Sequence, residues 1–413
     1  MSEVEEAPAL PPAVLQSPVV LVDTVARFHQ ALDELGSGEG PLALDAERAS
    51  GFRYSSRAYL VQVHRRGTPT YLLDPIEIGD LGELTRQWGA SEWILHAAHQ
   101  DLPCLREVGV EPQNLFDTEL GARIAGLPKV GLQGVVEDIL GLSLAKEHSA
   151  ADWSTRPLPE EWLTYAALDV ELLPQVRDEI HRILTSDGKW DFAKEEFAAQ
   201  LTLPSPAPRA EPWRRLSGLH SIRGQRPLAI ARELWLAREE LAQQLDTAPG
   251  RLVPDRSLVA AVLANPASRG ELAALKSFHG RASRGELQRW WDAIERGRST
   301  EDLPQLRVAQ EGPPPPRVWS DRNPAAAARL SAARSSLQTL SDETGIPSEN
   351  LLTPDYLRRL CWEPPEPATE QNIARALTDR GARLWQVRLV SPVLSRAFVD
   401  AHQTLASDNA EGS

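Results

Sequence analysis

PLALDAERASGFRYSSRAYLVQVHRRGTPTYLLD, residues 41–74, decides the fold. It holds three apolar runs, 42–47, 59–65 and 70–74, separated by stretches too short to hold a crossover helix, so they are predicted to be strands paired with antiparallel neighbours. Downstream the pattern changes. Residues 81–88 and 102–108 have helical spacing, 92–97 and 114–117 read as further short strands, and helices follow at 132–140 and 160–184. The helix from 160 starts just after Pro157 and Pro159, where proline suits a first turn. The expected class is an α/β core with a mixed sheet, its first three strands antiparallel and the later ones parallel.

Beyond this core the chain turns helical. LTLPSPAPRAEPW (201–213) packs four prolines between periodic stretches and reads as a linker. Leu234, Ala237, Leu241 and Leu245 then share one helical face, with further helices expected at 256–264, 270–276 and 283–296. A proline run at 312–316 separates this unit from ARSSLQTLSDETGIPSENLLTPDYLRRL (333–360), which resembles AREELAQQLDTAPGRLVPDRSLVAAVL (237–263). In each, a helix leads through a proline-containing turn to Pro-Asp and a new helix, which predicts two related helical domains. The divisions expected are a disordered lead over 1–17, the α/β domain over 18–204, helical domains over 205–312 (with the linker) and 313–405, and a disordered tail over 406–413.

The chain has 413 residues, 42% apolar and 25% charged, which excludes wholesale disorder and predicts more than one domain. The net charge of −14 is unevenly divided: residues 1–200 carry 16 Lys and Arg against 33 Asp and Glu, and residues 201–413 carry 28 against 25. Arg209, Arg214, Arg215, Arg223, Arg226 and Arg232 gather near the linker, either as a grip on phosphates or as a solvated face. Two lone cysteines, Cys104 and Cys361, argue against a disulfide framework or a thiolate zinc site. The acidic opening MSEVEEAPALPP and the want of a long apolar run predict a cytoplasmic protein.

Several residues carry chemistry. Asp45 and Glu47 stand two apart on one strand, so both carboxylates face the same side and Ala46 the other. Such a pair needs a shared proton or a cation such as Mg²⁺ or Mn²⁺, unless it is simply a strand terminus. Asp101, after the fourth of these strands and near a helix start, is a helix cap unless it converges with the other acids at one end of the sheet. Tyr165 and Asp169 lie four apart and so stack on one side of a helix, as a functional pair or a surface hydrogen bond. His96 and His99 flank Asp101 but read as structural, as does Asp117. The glycine-rich stretch 36–40 is a turn, because no Gly-Lys-Ser/Thr follows it. The tryptophans, Trp290 and Trp291 among them, read as packing residues more than as stacking platforms for bases.

LDAE at Asp45 and Glu47, HAAHQDL at Asp101 and YAALDV at Tyr165 and Asp169 resemble, in order, the three exonuclease motifs of the DEDD superfamily. The tyrosine four before the last aspartate marks its tyrosine subclass. Within it DWSTRPLPEEWLTYAALDV (152–170), with Lys146 upstream, is similar to the ribonuclease D family. The region from about 213 looks like the helicase-and-RNase-D C-terminal (HRDC) domain, and that after 320 like a second one. The resemblance implies a ribonuclease-H-like core, with Asp45, Glu47, Asp101 and Asp169 ligating two divalent ions (Mg²⁺ or Mn²⁺) and Tyr165 positioning the attacking water. It further implies 3′–5′ exoribonuclease activity releasing nucleoside 5′-monophosphates, with tRNA precursors or other small structured RNAs bearing a single-stranded 3′ end as partners, and a monomer is favoured. The alternatives are a 3′–5′ exodeoxyribonuclease or a noncatalytic RNA-binding protein on the same fold. Arg48 departs from the family, many of whose members carry an apolar or aromatic residue there, so the contacts beside the terminal nucleotide are expected to differ.

Overall fold

The computed structural model describes residues 10–144, 148, 150–203, 209–307 and 312–411. Its six-stranded sheet has the order β1-β4-β3-β2-β5-β6 and is built from β1 (Val19–Val22), β2 (Glu39–Arg48), β3 (Ala58–Arg66), β4 (Thr70–Leu73), β5 (Glu92–Leu95) and β6 (Asn114–Asp117). The expected class holds: β2, β3 and β4 pair antiparallel, while β5 and β6 add in parallel beside β2. One strand was not expected. β1 pairs in parallel with β4 at the far edge, a partner about fifty residues away that no local pattern announces.

Helices α1 (Val25–Leu35), α2 (Pro75–Ile78), α3 (Gly82–Trp88), α4 (Leu102–Glu107), α5 (Thr118–Ala125), α6 (Leu132–Leu140), α7 (Glu160–Glu171), α8 (Leu173–Ser186) and α9 (Trp190–Thr202) complete the α/β part. One sheet face, with Leu44, Ala46, Val61 and Val63, packs with α1 and α4 through Phe28, Leu32, Leu102 and Cys104. The opposite face lies under α7, where Ala166, Ala167 and Val170 meet Leu60, Leu72, Ala43 and Ile94. The single helix expected over 160–184 is two, broken at Leu172. Pro174 lacks the N–H that would bond the carbonyl of Val170 four residues back, so the ladder stops there.

The first helical unit comprises α10 (Gln225–Leu245), α11 (Pro249–Leu252), α12 (Asp255–Ala264), α13 (Arg269–Ala274), α14 (Arg281–Gly285) and α15 (Leu287–Ser299), around a core holding Leu234, Leu241, Phe278 and Trp290. Trp290 is fully buried and donates its indole N–H to the Ala282 carbonyl, so it packs and does not stack on bases. The second unit comprises α16 (Trp319–Arg322), α17 (Pro324–Thr344), α18 (Ser348–Leu351), α19 (Pro354–Trp362), α20 (Glu370–Thr378) and α21 (Leu384–Glu411). The first helices of the two units run in a similar order. In each unit a 21-residue helix is followed by a four-residue helix and then by one that begins at or beside a Pro-Asp pair.

The second unit shares a continuous apolar core with the nuclease side, where Leu330, Leu337 and Trp385 cluster with Phe116, Ile124 and Val136. Trp385 stacks on Phe192 with ring centroids 4.9 Å apart, and its indole N–H donates to Glu196. The first unit is held differently, through residues 51–59. Asp246, at the left-handed C-cap of α10, accepts the Ser55 N–H at 2.9 Å and the Tyr59 hydroxyl at 3.2 Å. Arg251 lies 3.8 Å from the Phe52 ring centroid and donates to the Gly51 carbonyl.

Two expectations about the ends are corrected. Residues 10–17 of the expected disordered lead form an extended strap: Pro12 bridges Ser143, and the Glu171 carboxylate accepts the N–H groups of Gln16 and Ser17. Residues 1–9 lie outside the described residues. The tail expected to be disordered from 406 is helical to Glu411, as the end of α21. Among the described residues no helix is long and apolar enough to cross a membrane, and both cysteines are free and buried.

Candidate active site

The site lies at the end of the sheet where β2, β5 and α7 meet. Strand alternation turns Asp45 and Glu47 out of β2 together, opposite Gln62 and Leu60 of β3. Helix α7 lies over that face and brings down Asp169. Carboxylate oxygens of Asp45, Glu47 and Asp169 all fall within 4.8 Å of one another. Asp101 enters from the start of α4, hydrogen-bonded to Asp45 and paired with Arg48 at 3.3 Å. Tyr165 lies one turn before Asp169 on α7, and its phenol hydrogen-bonds that carboxylate. All five residues singled out by sequence therefore converge.

Glu47, Asp101 and Asp169 are each less than a tenth exposed, at 9%, 6% and 7%. Burial raises the carboxyl pKa of Asp45, and it pushes Glu47 and Asp169 well above the carboxylate range with added repulsion from neighbouring acids. Asp101 is driven by burial, and then by the Asp45 charge, up to about 9. Four acids this close and this dry cannot all be ionised alone. They share protons or take up cations, and a donor set made wholly of carboxylate oxygens suits hard divalent ions. The residues present thus fit such ions. Burial, then the charges of Asp169 and Glu47, raise the pKa of the Tyr165 hydroxyl, so it stays a neutral phenol.

A cavity of about 570 Å³ opens beside the acids, lined in part by Asp45, Asp169, Tyr165, His96, Lys129 and Gln133. Lys129 and Gln133 were not anticipated: each is an ordinary polar residue in sequence, and only the placement of α6 and of the segment just before it brings them to the cavity. His96 also faces this cavity, but its ring Nδ1 is engaged with the Thr118 hydroxyl at 2.9 Å, and His99 is exposed. Asp117 is structural, as expected. It accepts the N–H groups of Ala97, Ala98, Glu119 and Leu120 and the Gln200 amide, tying the turn after β5 to the start of α5.

Arg156 was quoted only within a motif, yet it clamps the segment leading into α7. Its guanidinium makes paired bonds of 2.6 and 2.8 Å to Asp74 and a third to the Tyr59 carbonyl. Lys146 lies outside the described residues. In the basic cluster, Arg214 pairs with Glu211 and Arg232 with Asp302, while Arg226 bonds the Thr300 carbonyl; Arg215 and Arg223 are exposed.

Comparison with known proteins agrees with this geometry. Residues 19–185 match a 3′–5′ exonuclease family, 228–294 the HRDC domain, and 312–398 a 3′ to 5′ exonuclease C-terminal domain. The chain is 31% identical over 284 residues to ribonuclease D of Gluconacetobacter diazotrophicus, covering 66% of this chain and 67% of that one. It is 30% identical to ribonuclease D of Jannaschia sp., covering 65% and 72%. Among solved structures, a protein from Bifidobacterium adolescentis aligns with a TM-score of 0.85 at 39% identity, covering 94% of this chain and 99% of that one. Escherichia coli RNase D, described as an exoribonuclease involved in structured RNA processing, aligns with a TM-score of 0.66 at 24% identity over 92% and 99%, a likeness of fold.

Proposed function

The chain belongs to the ribonuclease D family of 3′–5′ exoribonucleases, and from that membership we propose that Asp45, Glu47, Asp101 and Asp169 ligate two divalent ions, Mg²⁺ or Mn²⁺, while Tyr165 orients the attacking water. The observation that carries this reading is the clustering of Asp45, Glu47 and Asp169 from β2 and α7, with buried Asp101 joined to Asp45 from the start of α4. Such ions, when bound, supply Lewis acidity toward the scissile phosphodiester, the attacking water and the departing 3′ oxygen.

The protein's own groups do the rest. Tyr165 gives its hydroxyl hydrogen to Asp169, which leaves the phenol oxygen free to accept a bond from a water. A phenol with a raised pKa is a poor base, so its part is alignment and not proton removal. The cavity beside the acids receives the terminal nucleotide, with Lys129 and Gln133 at its wall. The products are nucleoside 5′-monophosphates. The substrates we infer are tRNA precursors and other small structured RNAs with a single-stranded 3′ end, acted on in the cytoplasm by a monomer. Exposed Arg215 and Arg223 of the first helical unit are suited to hold the RNA body through its phosphates.

The test is Asp45→Asn, assayed with an end-labelled, 3′-tailed RNA and its DNA counterpart in Mg²⁺ or Mn²⁺. Loss of at least about a hundredfold in mononucleotide release, with far-ultraviolet circular dichroism unchanged, is expected from removing a group that acts on the reacting atoms. Near-normal activity overturns the metal-site assignment, and equal digestion of both strands overturns the preference for RNA.

A further inference from the structure

Asp101 joins the other three acids from one side, through Asp45. Asp45, Glu47 and Asp169 share a mutual spacing fit for a common ion, and Asp101 is not among that group. Besides its bond to Asp45, its carboxylate is paired with Arg48, at 3.3 Å. Arg48 ends β2 past a break in the register with β3, paired with Ala58, which clusters with Ala46, Leu102 and Cys104, and Asp101 immediately precedes α4. The pair is largely sheltered, the Asp101 side chain 8% exposed and that of Arg48 29%, so water screens it only in part.

We propose that Arg48 is a positioning residue that occupies Asp101 in the metal-free site and so competes with the second divalent ion for that carboxylate. The proposal rests on the reading of Asp101 as a metal ligand. Its physical basis is charge. Four carboxylates without metal attract a guanidinium, whereas the same carboxylates neutralised by two divalent ions leave it facing no net negative charge. Arg48 therefore stabilises the empty state and not the filled one, and it raises the metal concentration at which the site fills. Proton uptake by the acids weakens this preference without changing its sign, because protonated carboxyls attract the guanidinium less but never repel it. An apolar residue at this position removes the competition.

The test compares Mn²⁺ binding, by calorimetry and by electron paramagnetic resonance of free Mn²⁺, in the full-length protein and in Arg48→Leu, Arg48→Gln and Arg48→Lys, at fixed pH and low salt. Leu and Gln are expected to tighten the weaker Mn²⁺ site about tenfold, equivalent to about 1.4 kcal/mol, and Lys, which keeps the charge, to bind as the unsubstituted protein does. The rise in Tm on adding Mn²⁺ to chelator-treated protein is expected to be larger for Leu and Gln as well, a readout independent of activity. Two different uncharged replacements guard against one that folds poorly. Unchanged or weaker Mn²⁺ binding in both Leu and Gln overturns the proposal while leaving the ligand assignment standing. No uptake of Mn²⁺ by the unsubstituted protein overturns the ligand assignment, and the proposal with it.

Discussion

Replacing Arg156 by Ala probes the clamp that places α7, and with it Tyr165 and Asp169. The guanidinium makes two bonds to Asp74, one to the Tyr59 carbonyl and two to the carbonyls of Trp153 and Thr155. The Asp74 side chain is only 4% exposed, and once Arg156 is gone its remaining partner is the Ile76 N–H at 3.0 Å. Stranding one member of a buried ion pair costs about 3–5 kcal/mol. Because Arg156 itself is 27% exposed, the lower end applies, about 3 kcal/mol. Tryptophans occur in every unit of the chain, so their fluorescence cannot assign the loss, and hydrogen exchange read by mass spectrometry on peptides from 58–74 and 160–171 is the sharper assay. A loss of about 3 kcal/mol accelerates exchange by about a hundredfold where these amides open together with the domain. The double variant Asp74→Ala/Arg156→Ala is expected to fall short of additivity by about 2–3 kcal/mol. Arg156→Lys recovers little, because an ammonium cannot make the paired contact. Exchange within tenfold of the parent in Arg156→Ala, or strict additivity in the double variant, refutes the clamp.

Two more perturbations address how the helical units are attached. A Cβ at Gly126, which caps α5 at φ +83°, would lie 2.5 Å from the Gly345 carbonyl oxygen at the end of α17. Gly126→Ala is thus expected to cost about 1–3 kcal/mol through backbone strain and overpacking, seen as faster proteolysis of the second helical unit; unchanged proteolysis contradicts the close approach. Asp246→Ala removes the acceptor for the Ser55 N–H and the Tyr59 hydroxyl, a loss of about 1–2 kcal/mol for two bonds to a charged group that is partly exposed. Trypsin is then expected to cut faster at Arg53 and Arg57, and activity on a folded RNA to fall more than on a short oligonucleotide. Equal cleavage and equal activities show that the first unit is not held through this carboxylate.

The residues legible from sequence share a physical reason for being so. Asp45 and Glu47 close an apolar run in which charge has no packing role, and the period of two assigns both to one face before any coordinates exist. Tyr165 and Asp169 obey the helical period just as plainly. The similar order of the first helices in the two units was readable because Pro and Asp punctuate helix starts through backbone chemistry that is local. What stayed hidden is long-range. β1 is four residues long and its partner stands about fifty positions on, so its pattern is indistinguishable from a proline-flanked lead. The strap over 10–17 is ordered by Glu171, a carboxylate 155 residues from Gln16, where composition alone predicts disorder. The core joining Phe116 and Ile124 to Leu330 and Trp385 is written in two helical patterns, each of which looks complete when read alone.

Arg48 marks the boundary between these two kinds of information. In sequence it is one basic residue after an acidic pair, unusual for the family and without an evident role. The register break just before it hides which side of β2 it leaves from, and that Asp101 arrives beside it depends on where α4 lands, which is a tertiary fact. Once both are known, electrostatics supplies the consequence, because a fixed cation and a mobile divalent cation cannot both be best served by one carboxylate. The same reasoning separates Arg48 from Arg156. Arg156 meets a carboxylate, Asp74, that caps α2 and lies outside the acidic cluster, so it has no competitor and acts as structure. Arg48 meets one whose other neighbours are acids awaiting a cation, so its pairing is conditional on metal, and only for Arg48 is the cost of removal expected to depend on whether Mn²⁺ is present.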